Sequence, residues 1–136
     1  MSVPKVVLDT DNLSALMRKN PNVIAKATNY LAEHGHFTIS IITRYEVLRG
    51  LLARGAIKQA AVFSEFCLRI RILDIDDLVI VKAAGIYADL YRRGELIGDA
   101  DVLIAATAMV NDLAVATNNE GHFGRVRGLQ VENWQK

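Results

Sequence analysis

Four short apolar runs, set between segments of helical periodicity, constrain this chain most. They are KVVLD (5–9), FTISII (37–42), IRILD (70–74) and AVAT (114–117). Each is short for a helix and carries the branched side chains that pack well on a pleated surface. Between them, apolar residues return every three or four positions, as in Val23, Ile24, Ala27, Tyr30 and Leu31, and again in Ile80, Ala83, Ala84, Tyr87 and Leu90. Strands alternating with helices predict an α/β fold with a central, mainly parallel sheet flanked by helices. With 136 residues, the expectation is a single domain over 1–136.

The punctuation between these elements is specific. A short helix is expected near 12–19, and Pro21 suits the first position of the next helix, with Gly35 at its C-terminal end. Thr43 is placed to cap a helix that ends at Gly55, followed by another helix over 56–69. Asp76 and Asp77 are placed to cap a long helix through Arg93. Residues 101–112 read as a buried helix, and GHFGRVRGLQVENW as a loop with one more short strand. A hydrophobic fraction of 51% argues against disorder. No apolar run approaches the ~18 residues of a membrane span, and MSVPKVVLDT lacks the pattern of a secretory signal. Cys67 is alone in an apolar stretch and reads as a core residue, which fits a reduced cytoplasm. The net charge of +1 excludes a uniformly basic polyanion binder but leaves room for a local basic patch.

Two carboxylate pairs share one spacing: Asp9 and Asp11 end the first strand, and Asp99 and Asp101 open the buried helix. Ligands of parallel α/β sheets bind beyond the C-terminal strand ends. A carboxylate there costs desolvation unless it is paired, capped or bound to a cation. Asp9 is read as a site residue, whereas Asp11 serves equally well as a helix cap. One acid of Asp99 and Asp101 suffices as an N-cap favoured by the helix dipole, so two exceed what capping requires. Glu46 shares a helix face with Gly50, and a glycine inside a helix costs about 1 kcal/mol relative to alanine. That cost points to a close approach beside Glu46, while a surface pair with Arg49 is the plainer reading. Thr117, Asn118 and Asn119 follow the fourth strand and stand at the same edge, where a turn is their ordinary use. Of the three histidines, His122 is the best placed for a site.

Together these segments resemble the PIN-domain ribonucleases, in particular the VapC toxins of bacterial toxin–antitoxin pairs. The resemblance rests on VVLDTDNLSALM, ITRYEVLRG and ELIGDADVLIAATAMVNDLAVATNNEGHFGRVRGLQVENW in that order, nearly the whole chain. It implies a PIN-like domain in which Asp9, Glu46 and Asp101 match the first, second and third family carboxylates. Asp11 stands where the family often has Asn, and Asp99 is an additional acid. The fourth acidic position is irregular and falls near Asn119 to His122, where the chain offers Asn119 and Glu120; Asp99 is the alternative source of that carboxylate. The expected catalytic set is thus Asp9, Glu46, Asp101, Asp99 and Asn119, with Asp9, Glu46, Asp99 and Asp101 on the metal. Clustered carboxylate oxygens suit Mg²⁺ or Mn²⁺ better than zinc. The resemblance further implies an RNA substrate, tRNA among the candidates, a cognate VapB-like antitoxin whose Arg-bearing or hydrophobic tail fills the acidic groove, and a homodimer. Arg44, Arg49, Arg54, Arg125 and Arg127 are candidates for a basic rim.

Two further readings compete. Asp9-Thr10-Asp11 at a strand end suits an aspartyl-nucleophile phosphatase, although Leu13 occupies the position where that motif places Thr or Val. A catalytically inactive module that binds RNA or an antitoxin is the other, motivated by the irregular fourth acid.

Overall fold

The computed structural model describes residues 2–136. The elements are β1 (Val6–Leu8), α1 (Thr10–Met17), α2 (Pro21–His34), β2 (Thr38–Ser40), α3 (Ile41–Ala53), α4 (Ile57–Cys67), β3 (Arg71–Leu73), α5 (Asp77–Arg92), α6 (Asp99–Val110), β4 (Ala114–Ala116), α7 (Glu120–Phe123) and β5 (Val131–Glu132). The strands form one sheet in the order β3-β2-β1-β4-β5, and every pairing is parallel. This is the expected α/β architecture, with the sheet fully rather than mainly parallel.

The central strands are buried on both faces, as parallel sheets require. Val6 and Leu8 of β1, with Ala114 and Ala116 of β4, pack against Leu13, Val23, Tyr30, Leu51 and Phe63 of α1 to α4. Val7 and Val115 point the other way, toward Val79, Leu90, Ile104 and Phe123 of α5 to α7. The alternation follows from the two-residue period of a strand. The helix of highest mean apolarity, α6, lies against α5 and the sheet with Ile104, Ala105, Ala106 and Ala108 completely buried. Cys67 is buried in the first of these layers, as expected of a core thiol.

Boundaries shifted where a cap lay earlier than expected. Ser40, the last residue of β2, caps α3 by accepting from the Ile42 N–H at 3.2 Å, so Ile41 and Ile42 are helical. Thr43 therefore lies inside α3, fully buried, and caps nothing. A short apolar run reads equally as a strand or a buried helix, and the serine decides it. Asp76 caps α5 as anticipated, and Gly35 closes α2 at φ +82°, a left-handed conformation that suits glycine. The segment 120–123, expected as loop, forms the single turn α7. Among the described residues, no helix is long and apolar enough to cross a membrane.

Candidate active site

The sheet order locates a binding edge. From β1 the chain steps outward to β2 and β3, then returns to the opposite side of β1 for β4 and β5. The junction between β1 and β4 is thus the switch point beyond whose carboxyl ends α/β proteins bind ligands. Asp9 leaves β1 at this junction and Thr117 leaves β4. The Thr117 hydroxyl donates to Asp9 Oδ2, while Asp9 Oδ1 accepts from the Asn12 N–H at 2.7 Å. Asp9 is therefore the N-cap of α1, so the capping role open to Asp11 falls two residues earlier. Asp11 sits in the first turn instead. Asp9 is only 3% exposed. Burial pushes its carboxyl up to about 7; the bonds from Thr117 and Asn12 oppose that rise, and the charges of Asp11 and Asp101 add to it.

Glu46 reaches the same edge from α3. Its Oε1 accepts from the Thr10 hydroxyl at 2.6 Å, and the Thr10 and Thr43 hydroxyls lie 3.2 Å apart. The plainer partner, Arg49, is also present, with Nη2 3.7 Å from Glu46 Oε2 and its guanidinium over the Tyr45 ring. Gly50 does not mark a tight backbone approach, because an added Cβ would meet only Arg54 Nη1 at an ordinary 3.6 Å. Asp101 comes from the first turn of α6. The N-cap of that helix is Gly98, without a side-chain cap bond, so neither acid of the second pair caps it. His122 Nδ1 lies 3.3 Å from Asp101 Oδ2 and 2.8 Å from Asn119 Nδ2.

Asp9, Asp11, Glu46, Asp101 and Asn119 line one cleft of about 560 Å³, together with Thr10, Ser14, Arg18 and Asn118. Asp99 does not line it and is exposed on the outer side of the first turn of α6. Glu120 is drawn away by Lys136 at 2.9 Å and Asn133 at 3.1 Å, which hold its carboxyl below the usual range. Thr10, Ser14 and Arg18 line the cleft and were not selected from sequence, whereas Thr117, expected at this edge as a turn residue, donates to Asp9. Thr10 lies between two acids in LDTD, the one local signal that could have found it. Arg18 stands one helical turn after Ser14, which also lines the cleft, but nothing in the sequence marks that face of α1 as part of a site. Of the basic-rim candidates, Arg54 lines an adjoining groove, Arg127 lies 3.7 Å from Asp89, and Arg125 donates to the carbonyls of Glu95 and Leu96. Arg44 packs over Phe63 and buries Nη1.

Four carboxylates and the Asn118 amide give the cleft an oxygen-rich donor set, which fits a hard divalent cation such as Mg²⁺ or Mn²⁺. Among the described residues, no three His, Cys, Asp or Glu side chains form a ready-made cluster. Repulsion between like charges favours that spread. Both Asp9 oxygens are already hydrogen-bonded in a buried position, which suits an anchored ligand better than an attacking nucleophile.

Residues 6–129 match the family described as PIN domain. The chain belongs to the PIN-domain family. PIN-domain ribonucleases are generally dependent on a divalent metal. This PIN domain is 33% identical over 132 residues to Ribonuclease VapC1 of Methanocaldococcus jannaschii, covering 97% of this chain and 88% of that protein. It is 31% identical to the tRNA(fMet)-specific endonuclease VapC of Shigella flexneri, covering 96% of this chain and 98% of that one. In three dimensions it resembles a chain of the DNA-bound VapBC crystal structure from Salmonella typhimurium, with a TM-score of 0.86 at 31% identity over 97% of this chain and 99% of that chain. A chain of Rickettsia felis VapBC2 bound to a promoter DNA fragment gives a TM-score of 0.84 at 26% identity over 95% and 98% of the two chains.

Proposed function

We propose that this chain is a VapC-type endoribonuclease, the toxin of a toxin–antitoxin pair, which hydrolyses RNA phosphodiester bonds with a divalent cation. The observation that carries the reading is the meeting of Asp9, Glu46 and Asp101, from three separate elements, around one cleft at the switch point of the sheet. These three carboxylates would hold Mg²⁺ or Mn²⁺, with Asn119 at the edge. When bound, such a cation supplies a Lewis acid and lowers the pKa of water. The chain's own residues do the rest. Thr117 and the Asn12 N–H fix Asp9, and Thr10 fixes Glu46. Arg18 is exposed, lines the cleft and offers a contact to an RNA phosphate that four carboxylates would otherwise repel.

The partner of this reading is a VapB-like antitoxin. A groove of about 580 Å³ adjoins the cleft and shares Thr10, Ser14, Arg18 and Glu46 with it. Met17, Val47, Leu51 and Phe63 give it an apolar lining, with Arg18, Arg54 and Lys58 as its cations. This surface suits the apolar tail of an antitoxin running toward the acidic cleft. A homodimer accords with the exposed apolar face of α5, where Leu78 and Val81 stand out and Tyr87 stacks on Tyr91 at 6.1 Å. A cytoplasmic location goes with the same reading.

The test is cleavage of total RNA and of a defined tRNA by the purified chain with Mg²⁺ or Mn²⁺, with chelator, and with Asp101→Asn. Cleavage that needs the cation and is lost on substitution supports the reading. Cleavage unchanged by both overturns it. RNA binding without cation binding or cleavage would favour an inactive module.

A further inference from the structure

Two of the three aspartates that line the cleft, Asp9 and Asp101, are joined by a run of polar contacts through the β4–α7 turn. The Thr117 hydroxyl donates to Asp9 Oδ2 and accepts the Asn119 N–H at 2.8 Å. The Asn119 side-chain amide meets His122 Nδ1 at 2.8 Å, and the same Nδ1 lies 3.3 Å from Asp101 Oδ2. Asn119 and His122 are three residues apart across the single turn of α7, so their side chains rise on one face. That turn is anchored from below by Phe123, which is fully buried in the second core layer. The imidazole is thus held at a fixed height beside a carboxylate that has no other side-chain partner within hydrogen-bonding distance among the described residues.

From this geometry we infer that His122, oriented by Asn119, is a positioning residue that fixes the Asp101 carboxylate in the cleft through its Nδ1 edge. The inference rests on the proposed nuclease reading and adds to it a residue that binds neither substrate nor cation. One ring nitrogen cannot both accept from an amide N–H and donate to a carboxylate. With the Asn119 amide turned so that its oxygen faces the ring, an Nδ1–H serves both acceptors, and that arrangement satisfies all three groups. A partner of this kind behind a ligating group typically changes cation affinity by about 10–100-fold. Asp9 obtains the same service from Thr117, so Asp9 and Asp101 have a hydroxyl and an imidazole of their own, and both come from the segment that follows β4.

Asparagine and glutamine separate this role from simple space-filling. An Asn amide nitrogen superposes on Nδ1 of His, whereas a Gln amide nitrogen superposes on Nε2. Mn²⁺ binding to the full chain is measured by calorimetry for the unaltered protein, His122→Ala, His122→Asn and His122→Gln, with kcat and KM for RNA cleavage alongside. The expected result is at least tenfold weaker Mn²⁺ binding and lower kcat for His122→Ala and His122→Gln, with KM for RNA changed little and both losses largely restored in His122→Asn. The imidazole is 43% exposed, so unfolding temperatures should stay close together. Equal Mn²⁺ affinity across all four proteins, with cleavage intact in the unaltered chain, overturns the role of His122 and leaves the nuclease reading standing. Equal loss in His122→Asn and His122→Ala overturns the Nδ1 assignment. An unaltered chain that neither binds Mn²⁺ nor cuts RNA overturns the nuclease reading and this inference with it.

Discussion

Asp9-Thr10-Asp11 and Asp99-Ala100-Asp101 have the same spacing and both lie at helix starts, yet they deliver their carboxylates differently. In the first, the leading acid is the N-cap itself, is 3% exposed and faces the cleft with Asp11 beside it. In the second, Gly98 takes the cap, the leading acid turns outward and only Asp101 reaches the cleft, half-buried. The difference is one of helical phase. Moving the cap by one residue rotates every following side chain by about 100°. A spacing in sequence is therefore no guide to a shared geometry until the cap is known.

The largest expected effect tests what the two pairs share. Asp9→Asn and Asp101→Asn should each lower RNA cleavage by about 1,000-fold or more, since cation stabilisation of a transition state is worth several kcal/mol and each 1.4 kcal/mol is tenfold. Gel-based rates on one RNA would show it, and activity retained in either would break the equivalence.

The next effect separates them. Asp9 has a folded-state pKa of about 7 against an ordinary 3.8, so between those values the folded chain keeps a proton that the unfolded chain has lost. Stability from this group is full below the lower value and falls as pH rises through the upper one. The cation-free protein should accordingly unfold at lower temperature at pH 8 than at pH 5. Asp9→Asn should remove that part of the slope and be more stable than the parent at pH 8, while Asp101→Asn, which takes away only the smallest of the causes that raise Asp9, should leave most of it. Thermal unfolding in chelator at both pH values decides the matter.

Smaller effects refine the contrast. Thr117→Val removes the hydroxyl that donates to Asp9 Oδ2 and should cost about tenfold in cation affinity, measured by Mn²⁺ titration. Asp99→Asn should change cleavage by no more than about twofold, the range of an exposed substitution. A loss equal to that of Asp101→Asn would return Asp99 to the site.

Much of this was legible in the chain because its signals are local. The runs around Val6, Ile39, Ile72 and Val115 became strands, and Pro21, Gly35 and Asp76 marked boundaries where their backbone preferences place them. Asp9, Glu46 and Asp101 could be proposed together from their ordered motifs, and all three line one cleft. What escaped is non-local or turns on a competing cap. Ser40 outcompeted Thr43 for α3, and Asp9 outcompeted Asp11 for α1. The Thr10 contact to Glu46 joins residues 36 apart and the Thr117 contact to Asp9 residues 108 apart, and no periodicity encodes either. The sheet order, which creates the switch point, is likewise a property of how the elements pack.

That 108-residue separation also sets when the cleft can exist. On the ribosome, Asp9 and Glu46 emerge well before Asp101, Thr117 and the strand that flanks β1 on its second side. Trp134, which packs 5.4 Å from Tyr30 and 6.5 Å from Phe37, joins the core later still. Chains fold from the N-terminal side as they are made, yet a contact cannot form before both of its ends are present. A nascent chain of this protein therefore carries only the Asp9 and Glu46 half of the cleft until Asp101 and Thr117 have also been made.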